Sequence, residues 1–265
     1  MENKKYELTD ETIDVNGHTL HRIKALKDFA EAYSQYVKKG DLGGYIEKEK
    51  NLSHEGNCWV SDKACVYEDA RVFGNAWVYG KAEVYGEARV CGNANVMGKA
   101  KVYGDTDVCD NAKVYAGARV YGRASIYGRV HIYGKAEVYD DAVVRGEAKV
   151  SGMVYRDARV FDNAEVSDYA EVFGNARVYE NARVFDEAKV YENAEVSGEA
   201  IVLNNARVYD RAEVCGKAIV CDNAWVYGEA IVYGDAKIKG KAQILEGEIS
   251  KGIIDGKEKK SIELD

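Results

Sequence analysis

The sequence predicts an all-β protein in which one chain winds into a single-stranded parallel β-helix of about 18 residues per coil. Three observations predict this fold. Valine or isoleucine recurs at every sixth position from Val60 to Val150 and again from Val160 to Ile244. A small residue, usually alanine, stands two positions before nearly all of them, and turn-forming residues separate successive units. Repetition at a short fixed period is typical of a solenoid.

The alternation of side chains along an extended chain indicates which residues are inside. Ala64 and Val66 share one face, and the residues that flank each valine share the other. The flanking positions often carry charges, such as Arg71 and Glu83, and charged side chains are rarely buried unpaired. We therefore expect alanine and valine to fill a narrow triangular interior, with three hexads closing each coil.

The residues between units predict corners. They read Gly74-Asn75 or Asp162-Asn163, and glycine and asparagine tolerate the positive φ that a sharp turn needs. The valine register then jumps from Val150 to Val160. This jump predicts a four-residue unit around Val154 that has lost one corner. That reading places Arg156 in an inward slot and predicts a local opening or kink.

Three segments are expected: an N-terminal cap of residues 1–55, a solenoid of residues 56–245 and a C-terminal cap of residues 246–265. In the first segment, Asn16-Gly17 between alternating runs predicts a β-hairpin. Apolar residues at helical spacing then predict a short helix: Leu26, Phe29, Ala30, Tyr33 and Val37. This small α+β cap would cover the unpaired backbone groups of the first coil.

Two resemblances add to this picture. The small-x-aliphatic hexad of residues 56–245 resembles the hexapeptide repeat of left-handed parallel β-helices, typified by the UDP-N-acetylglucosamine acyltransferases. The stretches GGYI (residues 43–46) and EGNCW (residues 55–59) resemble the N-terminal module of YdcK-like β-solenoid proteins, which are often described as transferases by similarity. These resemblances imply a left-handed coil.

The position of glycine within the repeat is also compatible with a right-handed coil. Glycine here follows the aliphatic residue by two positions, as in Val78-Tyr79-Gly80, whereas in the acyltransferases it usually follows directly. The polymer-forming bactofilins, which are right-handed solenoids, show a similar spaced pattern.

Tyrosine is concentrated at the outward position that follows each inward valine, and the chain has 20 tyrosines against 5 phenylalanines. Reading every eighteenth residue, with the short unit counted as one side, predicts one aromatic column: Tyr67, Tyr85, Tyr103, Tyr121, Tyr139, Phe173, Tyr191, Tyr209 and Tyr227. Stacked rings could simply stabilise the column. A continuous aromatic strip also suits a protein partner or a second copy, because monomers rarely expose large apolar patches. We expect a non-catalytic scaffold or binding protein.

Composition argues against several other classes. The net charge of −8 and the interspersed charges lack the basic stripe of a nucleic-acid-binding protein. Without a long apolar run or a secretory signal, we expect a cytoplasmic protein that does not bind membranes. The six cysteines form no CxxC or CxxH motif, so no metal or cofactor is predicted. Cys91 and Cys109 fall on adjacent coils, close enough for a disulfide, but free thiols are expected in a cytosol.

An acyltransferase is the alternative function that the hexapeptide resemblance implies, with its site between subunits. Such enzymes typically use a histidine as general base. His131 is the histidine within the repeats and therefore the alternative catalytic residue, although an outward, solvated role is the simpler interpretation. The cap region holds His18, His21 and His54. The three tryptophans, Trp59, Trp77 and Trp225, occupy outward slots and are expected at the surface.

Overall fold

A computed structural model describes residues 4–30, 36–256 and 259–261 of the chain, the backbone alone being described for Ala30 and for residues 259–261. The chain divides into two compact units, Met1–Lys135 (unit 1) and Ala136–Asp265 (unit 2). In both units short parallel strands pair in register, usually with the strand 18 residues further on, as Glu83 pairs with Lys101 and Glu171 with Lys189. Each unit is therefore a parallel β-solenoid, which confirms the predicted fold class and coil length. The hand of the coil stays a prediction.

Within its described residues, unit 1 contains eighteen strands and one 3₁₀ helix at Glu49–Asn51. The strands are β1 (Tyr6–Val15), β2 (His18–Ala25), β3 (Phe29–Ala30), β4 (Tyr36–Val37), β5 (Leu42–Ile46), β6 (Trp59–Val60), β7 (Cys65–Val66), β8 (Arg71–Val72), β9 (Trp77–Val78), β10 (Glu83–Val84), β11 (Arg89–Val90), β12 (Asn95–Val96), β13 (Lys101–Val102), β14 (Asp107–Val108), β15 (Lys113–Val114), β16 (Arg119–Val120), β17 (Ser125–Ile126) and β18 (His131–Ile132). Sheet A has the order β1-β2-β5-β7-β10-β13-β16, sheet B β8-β11-β14-β17 and sheet C β6-β9-β12-β15-β18.

Unit 2 repeats the arrangement without a preceding hairpin. Its strands are β19 (Glu137–Val138), β20 (Val143–Val144), β21 (Lys149–Val150), β22 (Met153–Val154), β23 (Arg159–Val160), β24 (Glu165–Val166), β25 (Glu171–Val172), β26 (Arg177–Val178), β27 (Arg183–Val184), β28 (Lys189–Val190), β29 (Glu195–Val196), β30 (Ile201–Val202), β31 (Arg207–Val208), β32 (Glu213–Val214), β33 (Ile219–Val220), β34 (Trp225–Val226), β35 (Ile231–Val232), β36 (Lys237–Lys239), β37 (Gln243–Glu246), β38 (Glu248–Ile249), β39 (Ile253–Asp255) and β40 (Lys259–Ser261). Sheet D runs β19-β22-β25-β28-β31-β34-β37-β40, sheet E β20-β23-β26-β29-β32-β35-β38 and sheet F β21-β24-β27-β30-β33-β36-β39. Parallel pairing thus extends into the segment predicted to be the C-terminal cap.

Alanine and valine side chains fill the interior of each unit, as the repeat predicted. The inward valines and alanines are fully buried, as at Ala100 and Val102 in unit 1 and at Ala188 and Val190 in unit 2. Thr106 takes one alanine position, and its buried hydroxyl donates a 2.7 Å hydrogen bond to the carbonyl of Tyr103. Burial of each valine side chain stabilises the coil by about 1.5–3 kcal/mol before entropy is counted.

Acidic side chains support many of the corners. The first corner residue has a positive φ and is usually glycine, but elsewhere it is an acid such as Glu180 (φ 58°) or Asp222 (φ 61°). The Glu180 carboxylate accepts a 2.6 Å hydrogen bond from the N–H of Gly198, and Asp222 accepts one of 2.9 Å from Gly240. Each bond joins one coil to the next and offsets the cost of the left-handed backbone at a residue with a side chain.

The interruption near Val154 differs from its prediction. The missing corner precedes Gly152, so Ser151 and Gly152 join β21 directly to β22. Gly152 fills the small inward slot, where a Cβ would lie only 2.6 Å from the carbonyl oxygen of Ala170. Arg156 is therefore not inward. It is an exposed corner residue with a φ of 59°, in the position that glycine takes elsewhere.

The cap hairpin is confirmed and the cap helix is not. Strands β1 and β2 pair around Asn16 and Gly17, whose positive φ values of 52° and 87° suit a tight hairpin turn. Where the helix was predicted, Phe29–Ala30 and Tyr36–Val37 form a short antiparallel pair, and Tyr33 lies outside the described residues. The helical spacing was misleading because Phe29 is used to contact a residue far along the chain, with its ring 5.3 Å from that of Trp59.

Candidate functional site: the aromatic ladder

In unit 1, the tyrosines that follow the inward valines of sheet A form a continuous stack. Ring centroids are 5.0 Å apart for Tyr67 and Tyr85, 4.8 Å for Tyr85 and Tyr103, and 4.9 Å for Tyr103 and Tyr121, with interplanar angles of 10°, 0° and 1°. This spacing equals the separation of neighbouring strands, so the backbone ladder imposes the ring ladder. The structure thus brings together the four tyrosines that the repeat predicted in this unit.

In unit 2, sheet D carries a stack of six rings. The predicted members Tyr139, Phe173, Tyr191, Tyr209 and Tyr227 are joined by Tyr155, which was not among the predicted rings. Tyr155 lies 4.8 Å from Tyr139 and 4.9 Å from Phe173, between centroids. Its signal was present, because it directly follows the inward Val154, but the missing corner had been placed on the wrong side of that valine.

Tyr67 does not contribute to an accessible surface. It is only 1% exposed, because the cap hairpin covers it: Asn16 donates a 3.1 Å hydrogen bond to its hydroxyl, and the His18 ring lies 5.4 Å away. The pKa of the Tyr67 hydroxyl is raised, mainly by this burial. Tyr67 is therefore a docking point for the protein's own cap, which corrects its prediction as part of an exposed face.

The remaining ladder rings are half-buried, because each covers the faces of its neighbours and leaves its edge to solvent. Burial raises the pKa of Tyr85 to about 12, with smaller contributions from Tyr103 and Glu83, and raises the pKa of Tyr209 to about 12. In Tyr155 a hydrogen bond to Glu171 adds to the effect of burial and also raises the pKa. The hydroxyls of Tyr85, Tyr155 and Tyr209 are thus neutral donors and acceptors at physiological pH.

Charged side chains run beside each ladder, at the position before the inward valine. In sheet A, Lys101 lies 3.0 Å from Glu83, and the guanidinium of Arg119 lies 5.6 Å from the Tyr121 ring centroid. In sheet D, Lys189 donates a 2.6 Å hydrogen bond to Glu171. Each ladder therefore combines an aromatic strip with a charged strip, as binding surfaces with an apolar centre and a polar rim do.

Smaller aromatic pairs occur on the other sheets. Tyr115 and Tyr133 of sheet C stack at 5.6 Å, and Phe161 and Tyr179 of sheet E stack at 4.9 Å. These columns are mixed, since Met97 and Tyr115 share a column in sheet C.

The alternative catalytic residue, His131, lies on β18 beside the inward Ile132, half-buried and facing outward as expected. Its Nδ1 is 3.4 Å from the hydroxyl of Tyr115, and the two rings meet edge to face at 5.9 Å. This contact holds the imidazole against the side of sheet C.

The cap histidines make structural contacts. His18 Nδ1 lies 3.1 Å from Glu47, and Nδ1 of His21 lies 3.1 Å from the carbonyl of Thr9. The His54 ring stacks on Tyr6 at 4.3 Å, and its Nδ1 accepts a hydrogen bond from the Lys5 N–H.

A surface cavity of about 480 Å³, which the hexad pattern did not predict, lies where the cap meets the first coils. Its lining includes Leu52, His54, Arg71, Phe73 and Arg89.

The tryptophans are less exposed than predicted. Trp59 and Trp77 are 2% and 5% exposed, because Trp59 lies against the rings of Tyr6 and Phe29 and the Trp77 indole N–H donates to the carbonyl of Asn57. Only Trp225 is half-buried, on sheet D beside the ladder. The expectation of three surface tryptophans is therefore wrong for two of them.

Cys91 and Cys109 form a disulfide between neighbouring strands of sheet B, with Cα atoms 4.6 Å apart. This pairing corrects the expectation of stacked free thiols. Cys58, Cys65, Cys215 and Cys221 are free. Among the residues that the structure describes, no group of three or more His, Cys, Asp or Glu side chains is arranged to hold a metal ion.

Over the same described ranges, no helix combines the length and apolar character needed to cross a bilayer. Comparison with known proteins adds no identification: no protein-family model matches the sequence, and no curated protein matches it.

Proposed function

We propose that this protein is a non-catalytic β-solenoid scaffold, of the YdcK-like hexapeptide-repeat kind and located in the cytoplasm, that binds a second copy or a protein partner through its aromatic ladders. The observation that carries the proposal is the regularity of the stack in each unit, where rings repeat at 4.8–5.0 Å along one sheet beside a charged column. Tyrosine suits such a surface, because it offers a large apolar area and a polar tip with little side-chain entropy to lose.

Stabilisation of the coil alone is the simpler role for the rings. It accounts for stacking, but it gives no reason for the concentration of tyrosine on one sheet of each unit, since any of the three sheets could carry a stabilising stack. Half-buried hydroxyls with raised pKa values are also suited to hydrogen bonding across an interface, where they remain neutral.

The test is a triple variant of sheet A, Tyr85→Ser, Tyr103→Ser and Tyr121→Ser together. We expect loss of self-association, measured as mass in solution, or loss of a partner captured from the native host. The matched control changes three tyrosines of sheet C to serine, at Tyr79, Tyr115 and Tyr133. If mass and captured partner are unchanged in the sheet A variant, and circular dichroism shows that it is folded, the ladder of sheet A only stabilises the coil.

An acyltransferase of the hexapeptide type remains the alternative, with His131 as general base in a site between subunits. Calorimetry with acetyl-CoA, repeated on His131→Ala, separates the two functions. Binding that the substitution abolishes would favour the enzyme, and no binding by the native protein would favour the scaffold.

A further inference from the structure

The outer surface of sheet D carries a charge pattern in addition to its six rings. The residues that precede the inward valines of β19 to β34 are Glu137, Met153, Glu171, Lys189, Arg207 and Trp225. Acidic residues thus occur on the first and third of these strands and basic residues on the fourth and fifth. The boundary between the two signs falls between β25 and β28, at the centre of the ring stack.

The groups at this boundary are close to one another and partly exposed. Lys189 donates a 2.6 Å hydrogen bond to Glu171, and their side chains are 38% and 18% exposed. Arg207 is exposed, with its guanidinium 5.2 Å from the Trp225 ring centroid. A partner that lies on this surface would therefore meet one acidic and one basic half.

Building on the proposed function, we propose that the partner of sheet D is a second copy of this chain, packed face to face and antiparallel. The two-fold axis would run parallel to the strands, between β25 and β28. Such a rotation keeps each residue's position along its strand and reverses the order of the strands. The ring stack of one copy therefore faces the ring stack of the other, and Glu171 of each copy faces Lys189 of the other copy.

The corner residues on the edge of the sheet independently fit this arrangement. Arg156 and Asp157 follow β22, and Asp210 and Arg211 follow β31, which is the strand that β22 faces across the axis. Arg156 then meets Asp210 of the second copy, and Asp157 meets Arg211. Within one chain these two corners are three strands apart, about 14 Å, so they cannot pair with each other directly.

Other arrangements of two copies fit less well. An axis along the coil would keep each strand level with its own copy, so Glu171 would lie level with Glu171 and Lys189 with Lys189, and the acidic half would not meet the basic half. An axis through β28 would place Lys189 against itself. In the proposed arrangement the complementary pairs lie on the four central strands, whereas the corner carboxylates of Asp141 and Glu229 would face each other at the ends. The contact is therefore small and centred on the two-fold axis. It extends over six strands, about 24 Å from the first to the last, and is expected to weaken as the salt concentration rises.

The test is a charge swap at the sheet edge, followed by the dimer dissociation constant in analytical ultracentrifugation. Asp157→Arg alone places an arginine opposite Arg211 of the second copy, and Arg211→Asp alone places an aspartate opposite Asp157. Because each single variant brings two like charges together, each is expected to raise the dissociation constant at least tenfold. The double variant D157R/R211D restores both pairs and is expected to return to within about threefold of the native constant. The control Glu165→Arg makes the same change of charge on sheet F and is expected to leave the constant unchanged.

The outcomes separate this inference from the function on which it rests. A native chain that is monomeric at high concentration, or a double variant as weak as the single variants, would overturn the antiparallel dimer. If serine substitutions in the ladders still abolish self-association or partner capture in that case, the binding function stands with a different partner or geometry. Recovery of the native dissociation constant in the double variant supports the dimer, because residues 157 and 211 of one chain are too far apart to restore it by pairing with each other.

Discussion

The hydroxyl of Tyr155 donates a 2.8 Å hydrogen bond to Oε2 of Glu171. The same carboxylate accepts a hydrogen bond from Lys189, through its other oxygen. The ring stack and the charged column of sheet D are therefore linked directly, and a change in one column is expected to affect the other.

Substitution of Tyr155 can separate ring stacking from hydrogen bonding. Tyr155→Phe keeps both ring contacts and loses the bond to Glu171, so we expect a loss of about 1 kcal/mol in the free energy of unfolding. Tyr155→Ser also loses two stacked neighbours, for a total of about 2–4 kcal/mol. Urea unfolding followed by circular dichroism measures both. Tyr169→Ser, at a ring that is 76% exposed, is the control and should change stability by less than about 0.5 kcal/mol. Equal losses for Phe and Ser would show that stacking contributes nothing.

The ladder tyrosines predict a loss of stability in alkali. Burial raises the pKa of Tyr85 and of Tyr209 from the model-peptide value near 10 to about 12. Because the folded state holds these protons more tightly, their contribution to stability is complete below pH 10 and is lost as the pH rises towards 12. We expect a group of tyrosines to ionise late, in absorbance at 295 nm, together with the loss of the β-sheet signal. Ionisation of all tyrosines near pH 10 in a protein that stays folded would contradict this prediction.

The interior and most of the ladder could be predicted from the sequence because each coil repeats the same local rule. Alternation alone places Ala82 and Val84 inside and Tyr85 outside. The period does not tell on which side of Val154 a corner was lost, and so Tyr155 was missed. Gly152 indicates where the corner was lost, because only glycine fits in the small inward slot against the carbonyl of Ala170.

Burial of Trp59 could not be predicted from the repeat, since it depends on rings brought from the cap, those of Tyr6 and Phe29. The disulfide was geometrically foreseeable and was set aside on an argument about cellular location.

One corner residue predicts a stabilising substitution. Ala116 has a φ of 62°, in a position that is glycine or an acid in most other coils, and its methyl side chain cannot accept a hydrogen bond as an acidic side chain does. The left-handed conformation costs alanine about 1–2 kcal/mol, and the extra entropy that glycine loses on folding is about 0.5–1 kcal/mol. Ala116→Gly should therefore raise stability by about 0.5 kcal/mol, measured as a shift in the thermal unfolding midpoint.

The reverse change one coil earlier is the control. Gly98 has a φ of 71°, and a Cβ there would lie 3.1 Å from the backbone nitrogen of Ala116. Gly98→Ala is expected to lower stability by about 1–3 kcal/mol, because strain and close contact add. A stabilising effect of Gly98→Ala would show that the corners accommodate side chains without strain.

The disulfide between Cys91 and Cys109 closes a loop with a sequence separation of 18 residues between coils that are already joined by backbone hydrogen bonds. A loop of this length restricts the unfolded chain enough to stabilise the fold by about 3 kcal/mol. We expect Cys91→Ser with Cys109→Ser, or reduction, to lower the unfolding midpoint. Cys215→Ser, at a free thiol, is the control and should have little effect. Alkylation of the native protein in its host, followed by intact-mass measurement, should leave Cys91 and Cys109 unmodified; labelling of both would establish free thiols instead.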